Sequence, residues 1–165
     1  HAWAVNWTGF LPAGLLQIAF ALCAWTALPR AGTITFALIG FALFAAGYVG
    51  SAFFPCDTGC AGSSESFSQQ MHFAVGLPGY FLAPFTVLLL GLSARNWPGG
   101  KWIASIGYLG TIGALAGLSG TVNVFESDTP GLWQRVLELS VLIPFLAVSC
   151  YLLVRPERDA TLPRG

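Results

Sequence analysis

Charge is almost missing from the first half of this chain. Between His1 and Ala94 the only charged side chains are Arg30, Asp57 and Glu65. The full 165-residue sequence is 8% charged and 55% hydrophobic, where an average soluble domain is roughly 25% charged. A water-soluble fold of this size must wet its surface, and it cannot hide that much hydrocarbon. The expected fold class is therefore an all-α, polytopic transmembrane helix bundle. The chain begins at His1 rather than methionine, which reads as a start inside a longer precursor or after processing.

Five runs are long and apolar enough to cross a bilayer, which takes about 20 residues each. They extend from about Trp3 to Leu28, Thr33 to Phe54, Gln70 to Ser93, Trp102 to Val124 and Leu132 to Val154. Barrel strands would alternate over about ten residues, and these runs are twice as long and continuously apolar. Residues 1–154 are expected to form a single bundle and 155–165 a polar tail. The net charge is zero, with no basic patch for nucleic acid and no glycine-rich phosphate loop after a strand.

Orientation is read from Lys and Arg. With alternating helices, one side receives Arg30, Arg95, Lys101, Arg155, Arg158 and Arg164, six of the seven basic residues. That side, with the C-terminal tail, is expected to be cytoplasmic. The loops 55–69 and 125–131, carrying Asp57, Glu65, Glu126 and Asp128 with only Arg135 near them, are then outside. Trp3, Trp7, Phe53, Phe54, Phe67 and Trp133 fall at the outer boundary, and Trp25, Trp97 and Trp102 at the inner one, as interface anchors.

In the fourth run Gly107, Gly110, Gly113, Gly117 and Gly120 recur every three or four residues. Lipid tails are as apolar as leucine, so membrane helices associate by close backbone approach, which small residues permit. The fourth helix is thus expected to be central and to touch two neighbours. Ala45, Ala46, Gly47 and Gly50 form a weaker version in the second. Pro12, Pro78, Pro84 and Pro144 lie within helices and should kink them, most of all at Gly76-Leu77-Pro78-Gly79.

Most groups capable of chemistry gather on the outer side: Phe54-Pro55-Cys56-Asp57-Thr58-Gly59-Cys60, His72, Asn123, Glu126, Gln134, Arg135 and Glu138, with His1 and Asn6 from the first helix. Cys56 and Cys60 are expected to form a disulfide in an oxidising outer compartment. The alternative is a zinc site with Asp57 and His72, whose spacing is not a standard pattern; no metal and no cofactor are predicted. Cys23 and Cys150 read as buried small apolar residues. An aspartate near hydrocarbon is costly unless paired. Asp57 can join Arg135 and Glu138 in an ion-pair network that locks helix ends, or join His72 as an acid–base pair or headgroup site. Ser63, Ser64, Ser66 and Ser68 lie in no nucleophile turn. Only Glu138 and Gln17 approach the depth that a proton path would need.

Phe54-Pro55-Cys56-Asp57 followed by His72, then Gly131-Leu132-Trp133-Gln134-Arg135, together with Trp7-Thr8-Gly9-Phe10-Leu11-Pro12-Ala13-Gly14, resembles the multi-pass family called domain of unknown function 998. The resemblance spans essentially the whole chain. It implies about six helices, hence one more before His1, and it implies no activity. It also implies that Asp57, His72, Gln134 and Arg135 belong to one site; the cysteine pair looks like an addition to the family pattern. Three function classes stay open. The first is a binding or accessory membrane protein whose cap of Asp57, His72 and Arg135, with Gln134, Glu138, Asn123 and Glu126, takes a lipid headgroup, small ligand or partner subunit. The second is a membrane enzyme on a lipid or small apolar substrate with Asp57 and His72 as acid–base groups. The third is a small-molecule transporter, disfavoured because the midplane lacks polar, broken-helix pairs. The expected partners are membrane lipids and other membrane subunits, without nucleic acid.

Overall fold

The computed structural model describes residues 2–29, 31–57, 66–122 and 130–154. Among them every regular element is helical. The helices are α1 (Leu11–Ala27), α2 (Gly32–Phe53), α3 (Phe67–Ala94), α4 (Lys101–Val122) and α5 (Pro130–Val154). A helical turn, Ala2–Val5, and a π-helical segment, Asn6–Phe10, prolong α1 at its start. Five helices, counting Trp3–Ala27 as one, are long and apolar enough to cross a membrane. The tail 155–165 lies outside the described residues.

The helix ends follow from local chemistry. A residue before proline is pushed out of the α region. Leu28, before Pro29, turns extended at φ −95° and ψ 155°; Phe54, before Pro55, leaves at φ −117° and ψ 79°. Helix α3 starts three residues earlier than its hydropathy suggests, because Ser66 caps it: the Ser66 hydroxyl accepts from the Gln69 N–H at 3.0 Å. Capping satisfies one of the amides that a helix start leaves open.

Each helix packs mainly on its neighbours in the chain, and α5 also touches α3. The glycine stripe of α4 does sit between two partners. A Cβ on Gly107 would stand 2.9 Å from the Gly91 Cα of α3, and one on Gly117 would stand 2.5 Å from the Leu137 nitrogen of α5. The seam judged weaker from sequence, between α2 and α3, is the most extensive contact of all. It is built from both sides: a Cβ on Gly79 would lie 2.6 Å from the Phe44 Cα. Helix α3 runs through Pro78 and Pro84 as one element, so Gly79 serves packing there rather than a break. The proline with a visible backbone consequence is Pro12. Its ring crowds the carbonyl four residues back, and just before it the Leu11 N–H bonds the Asn6 carbonyl five residues back. The wider π turn takes up that clash.

An aromatic knot closes the centre. Phe41 of α2 and Phe145 of α5 stack with centroids 3.8 Å apart, and Phe20 of α1 meets both edge-on at 6.1 and 6.4 Å. Leu16, Leu22, Phe36, Phe85, Leu109, Ile112 and Leu146 point outward, as a lipid-facing surface requires. Cys23 and Cys150 are on that outer surface too, as free thiols. The expectation that they are buried is corrected. A thiol is apolar enough to face hydrocarbon, so a span offers it two comfortable environments.

The α3–α4 turn closes one end. Trp97 is buried and stacks on Tyr151 at 5.5 Å. The Tyr151 hydroxyl donates to the Pro98 carbonyl at 3.1 Å, and Thr33 and Ser93 share a hydrogen bond of 2.6 Å. Gly99 takes φ +70°, which glycine adopts without strain. Trp97 is thus a core residue rather than the interface anchor expected, while Trp25 and Trp102 remain exposed.

Candidate functional site

The opposite end carries the cap residues in two hydrogen-bonded groups, both resting on α3. The first stitches the end of α2 to the start of α3. His72 Nδ1 meets the Phe54 carbonyl at 2.9 Å. A carbonyl only accepts, so Nδ1 carries the hydrogen. The Ser68 hydroxyl donates to the Pro55 carbonyl at 2.7 Å, and Gln69 Oε1 accepts from the Asp57 N–H at 2.8 Å. Ser66-x-x-Gln69 has the residues of a capping box, in which the glutamine returns to the cap amide. Here it reaches Asp57 instead. The bond fixes which way the amide points, and it leaves Gln69 Nε2 buried with no partner.

The second group lies deeper, between α2, α3 and α5. The Tyr80 hydroxyl donates to Glu138 Oε1 at 2.7 Å. Gln134 Nε2 donates to the Tyr80 oxygen at 2.9 Å and to Glu138 Oε1 at 3.0 Å. Tyr48 of α2 lies against the same carboxylate. Arg135 stands 3.7 Å from Glu138 Oε2, with side chains 72% and 12% exposed respectively. At that distance and exposure the ion pair contributes about 0–1 kcal/mol. Phe44 lines the group from below, stacked on Tyr80 at 5.9 Å and tilted against Tyr48 at 5.5 Å.

The expected site residues therefore divide. Gln134, Arg135 and Glu138 come together, one turn apart on α5. Asp57 and His72 come together at the α2–α3 stitch, through their backbone and imidazole respectively. Asn123, Glu126 and Cys60 lie outside the described residues, and the Cys56–Cys60 pairing lies there with Cys60. Cys56 itself is engaged, unlike Cys23 and Cys150. Among the described residues no group of three His, Cys, Asp or Glu could hold a metal ion. Sequence reasoning missed Tyr48, Tyr80 and Gln69. The available signal was a tyrosine well inside an apolar run, since a buried phenol needs a partner for its hydroxyl.

Five apolar spans around an interior carboxylate define the class: a multi-pass helical membrane protein with a polar group set into one end of its bundle. Within that class the chain belongs to the family described as Protein of unknown function (DUF998), whose model matches residues 1–151. No curated protein and no solved structure matches it.

Proposed function

We propose that this protein binds a polar group, from a lipid headgroup or a small ligand, at the His72 end of the bundle. Gln134, Glu138 and Tyr80 make the contacts, and Arg135 stands at their edge. The observation that carries this reading is Glu138. It sits about 10 Å along α5 from Gly131, at 1.5 Å per residue, and it is held chiefly by neutral donors. An ionisable side chain at the centre of a membrane helix costs up to about 3 kcal/mol on insertion scales. Interhelical hydrogen bonds return about 0.6 kcal/mol each. One such bond, from Tyr80, a bond within α5 from Gln134 and a loose ion pair leave a residual cost, which a ligand-binding role accounts for and a purely structural one does not.

In this reading the basic loops face the cytoplasm, and the His72 end opens outside. Asp57, His72 and Gln69 form the rim, and a Cys56–Cys60 disulfide tightens the α2–α3 loop beside it. The enzyme alternative has less support, because the His72 Nδ1–H is committed to a backbone carbonyl. The experiment is native mass spectrometry of the purified protein with extraction of what it retains. Wild type is expected to hold a lipid or small polar molecule that Arg135→Ala/Glu138→Gln releases, while Thr33→Val, at the far end, holds it. Equal retention in all three would remove the proposal.

A further inference from the structure

We infer that the Glu138 site takes an organic ammonium group, the positive end of an amine-bearing or choline-type ligand. This inference rests on the ligand-binding reading above and names the chemistry of that site.

The half-buried donors of the site, Gln134 Nε2 and the Tyr80 hydroxyl, are already used. Both Gln134 Nε2 contacts and the single Tyr80 hydroxyl hydrogen are committed within the group, and an amide nitrogen has only two hydrogens to give. What remains is acceptor capacity on the carboxylate. An incoming anion would find one guanidinium, largely in solvent, and a carboxylate beside it. A cation finds the negative charge and free lone pairs of a carboxylate.

A second acceptor lies buried on α1. Gln17 Oε1 is buried with no partner. Gln17 follows the helical stripe of Gly14, Ala21 and Ala24, the buried residues of α1. Its depth is bracketed by two contacts with α2: a Cβ on Gly14 would lie 2.8 Å from the Ala45 carbonyl, and Phe20 meets Phe41. That puts Gln17 level with Phe44, whose ring stacks on Tyr80. An unpartnered amide oxygen at that level adds a second acceptor inside the bundle to the carboxylate of Glu138.

The walls choose among cations. Tyr48 and Tyr80, both partly open, are aromatic, and rings attract an organic ammonium through their negative faces. A hard metal ion such as calcium would want six or more oxygens, far beyond one carboxylate. Tyr48, Tyr80, Gln134 and Glu138 are all partly open, so the group is not sealed inside the bundle.

The test uses the whole protein in an uncharged maltoside detergent. It is titrated with choline chloride, and separately with sodium phosphate, at ionic strength matched with sodium chloride. Melting temperature and intrinsic fluorescence are the readouts. Choline is expected to stabilise wild type saturably and phosphate is not. Glu138→Gln should weaken choline about tenfold, the scale of losing one charge-assisted contact. Arg135→Gln removes the competing cation from an exposed position and should tighten choline about threefold. This second variant keeps the test decisive if Glu138→Gln fails to fold. Saturable stabilisation by phosphate that Arg135→Gln abolishes would overturn the ammonium assignment and leave the polar-group reading standing. No saturable effect of either salt, together with equal retention in the mass-spectrometry experiment, would overturn both. Nanodiscs of phosphatidylglycerol, with and without phosphatidylethanolamine, separate the two sources of the ammonium. Stabilisation by the amine lipid assigns it to a headgroup, and stabilisation by choline alone assigns it to a free amine.

Discussion

At the Pro98 end, Tyr151 meets a carbonyl, Thr33 meets Ser93, and Trp97 is folded inward over both helices. These hydrogen bonds are between neutral groups. At the His72 end, Glu138 lies under three phenol or amide groups with an arginine standing off in solvent, and Gln69 keeps a buried donor without a partner. The first arrangement is what closing a bundle requires. The second holds more polarity than closure needs, and that excess is the ground on which binding is proposed there.

Four substitutions would break or sharpen that contrast. The largest effect is expected at the seam joining the two ends. Gly117→Val forces α5 off α4, since even a Cβ there stands 2.5 Å from the Leu137 nitrogen. Overpacking costs about 3 kcal/mol or more when backbone is the obstacle. Thermal unfolding in detergent should show a large fall or loss of the transition; wild-type melting would refute the packing account. Next, Tyr151→Phe and Glu138→Leu should diverge. Tyr151→Phe removes a closing bond and lowers stability by about 1 kcal/mol with ligand retention intact. Glu138→Leu removes a costly carboxylate but orphans the Tyr80 and Gln134 donors; the two effects oppose each other, and the variant should abolish retention. If both variants keep retention alike, the two ends are equivalent and the contrast fails. Last, Gln69→Leu strips one acceptor from the Asp57 N–H and also removes the orphaned Nε2. The two effects oppose each other, so the net change should stay within about 1 kcal/mol. A much larger loss would mean that the Nε2 group has a partner in the native membrane.

The spans were legible because hydrophobic length is a property of consecutive residues. The α4 stripe was legible because its glycines repeat at helical spacing. The cap was half legible. Gln134, Arg135 and Glu138 share one helix face, so their meeting follows from spacing alone. Tyr48 and Tyr80 come from other helices, and in hydropathy a tyrosine inside an apolar run reads as one more large side chain. Asp57 and His72 were chosen for their ionisable groups, yet the described bonds use the Asp57 amide and an imidazole N–H serving a helix-end carbonyl. Trp97, Cys23 and Cys150 went the other way from expectation because apolar side chains in a membrane protein satisfy lipid and core equally well.

Glu138 and Gln134, both partners of Tyr80, belong to α5, the last of the five spans to leave the ribosome. Phe145, which completes the knot with Phe41, belongs to it as well. Until that segment arrives, the Tyr80 hydroxyl lacks Glu138 and Phe41 lacks its closest ring, Phe145. Satisfying the polar group and completing the aromatic knot therefore happen in one step, and a polypeptide truncated before Pro130 would lack Gln134, Arg135 and Glu138.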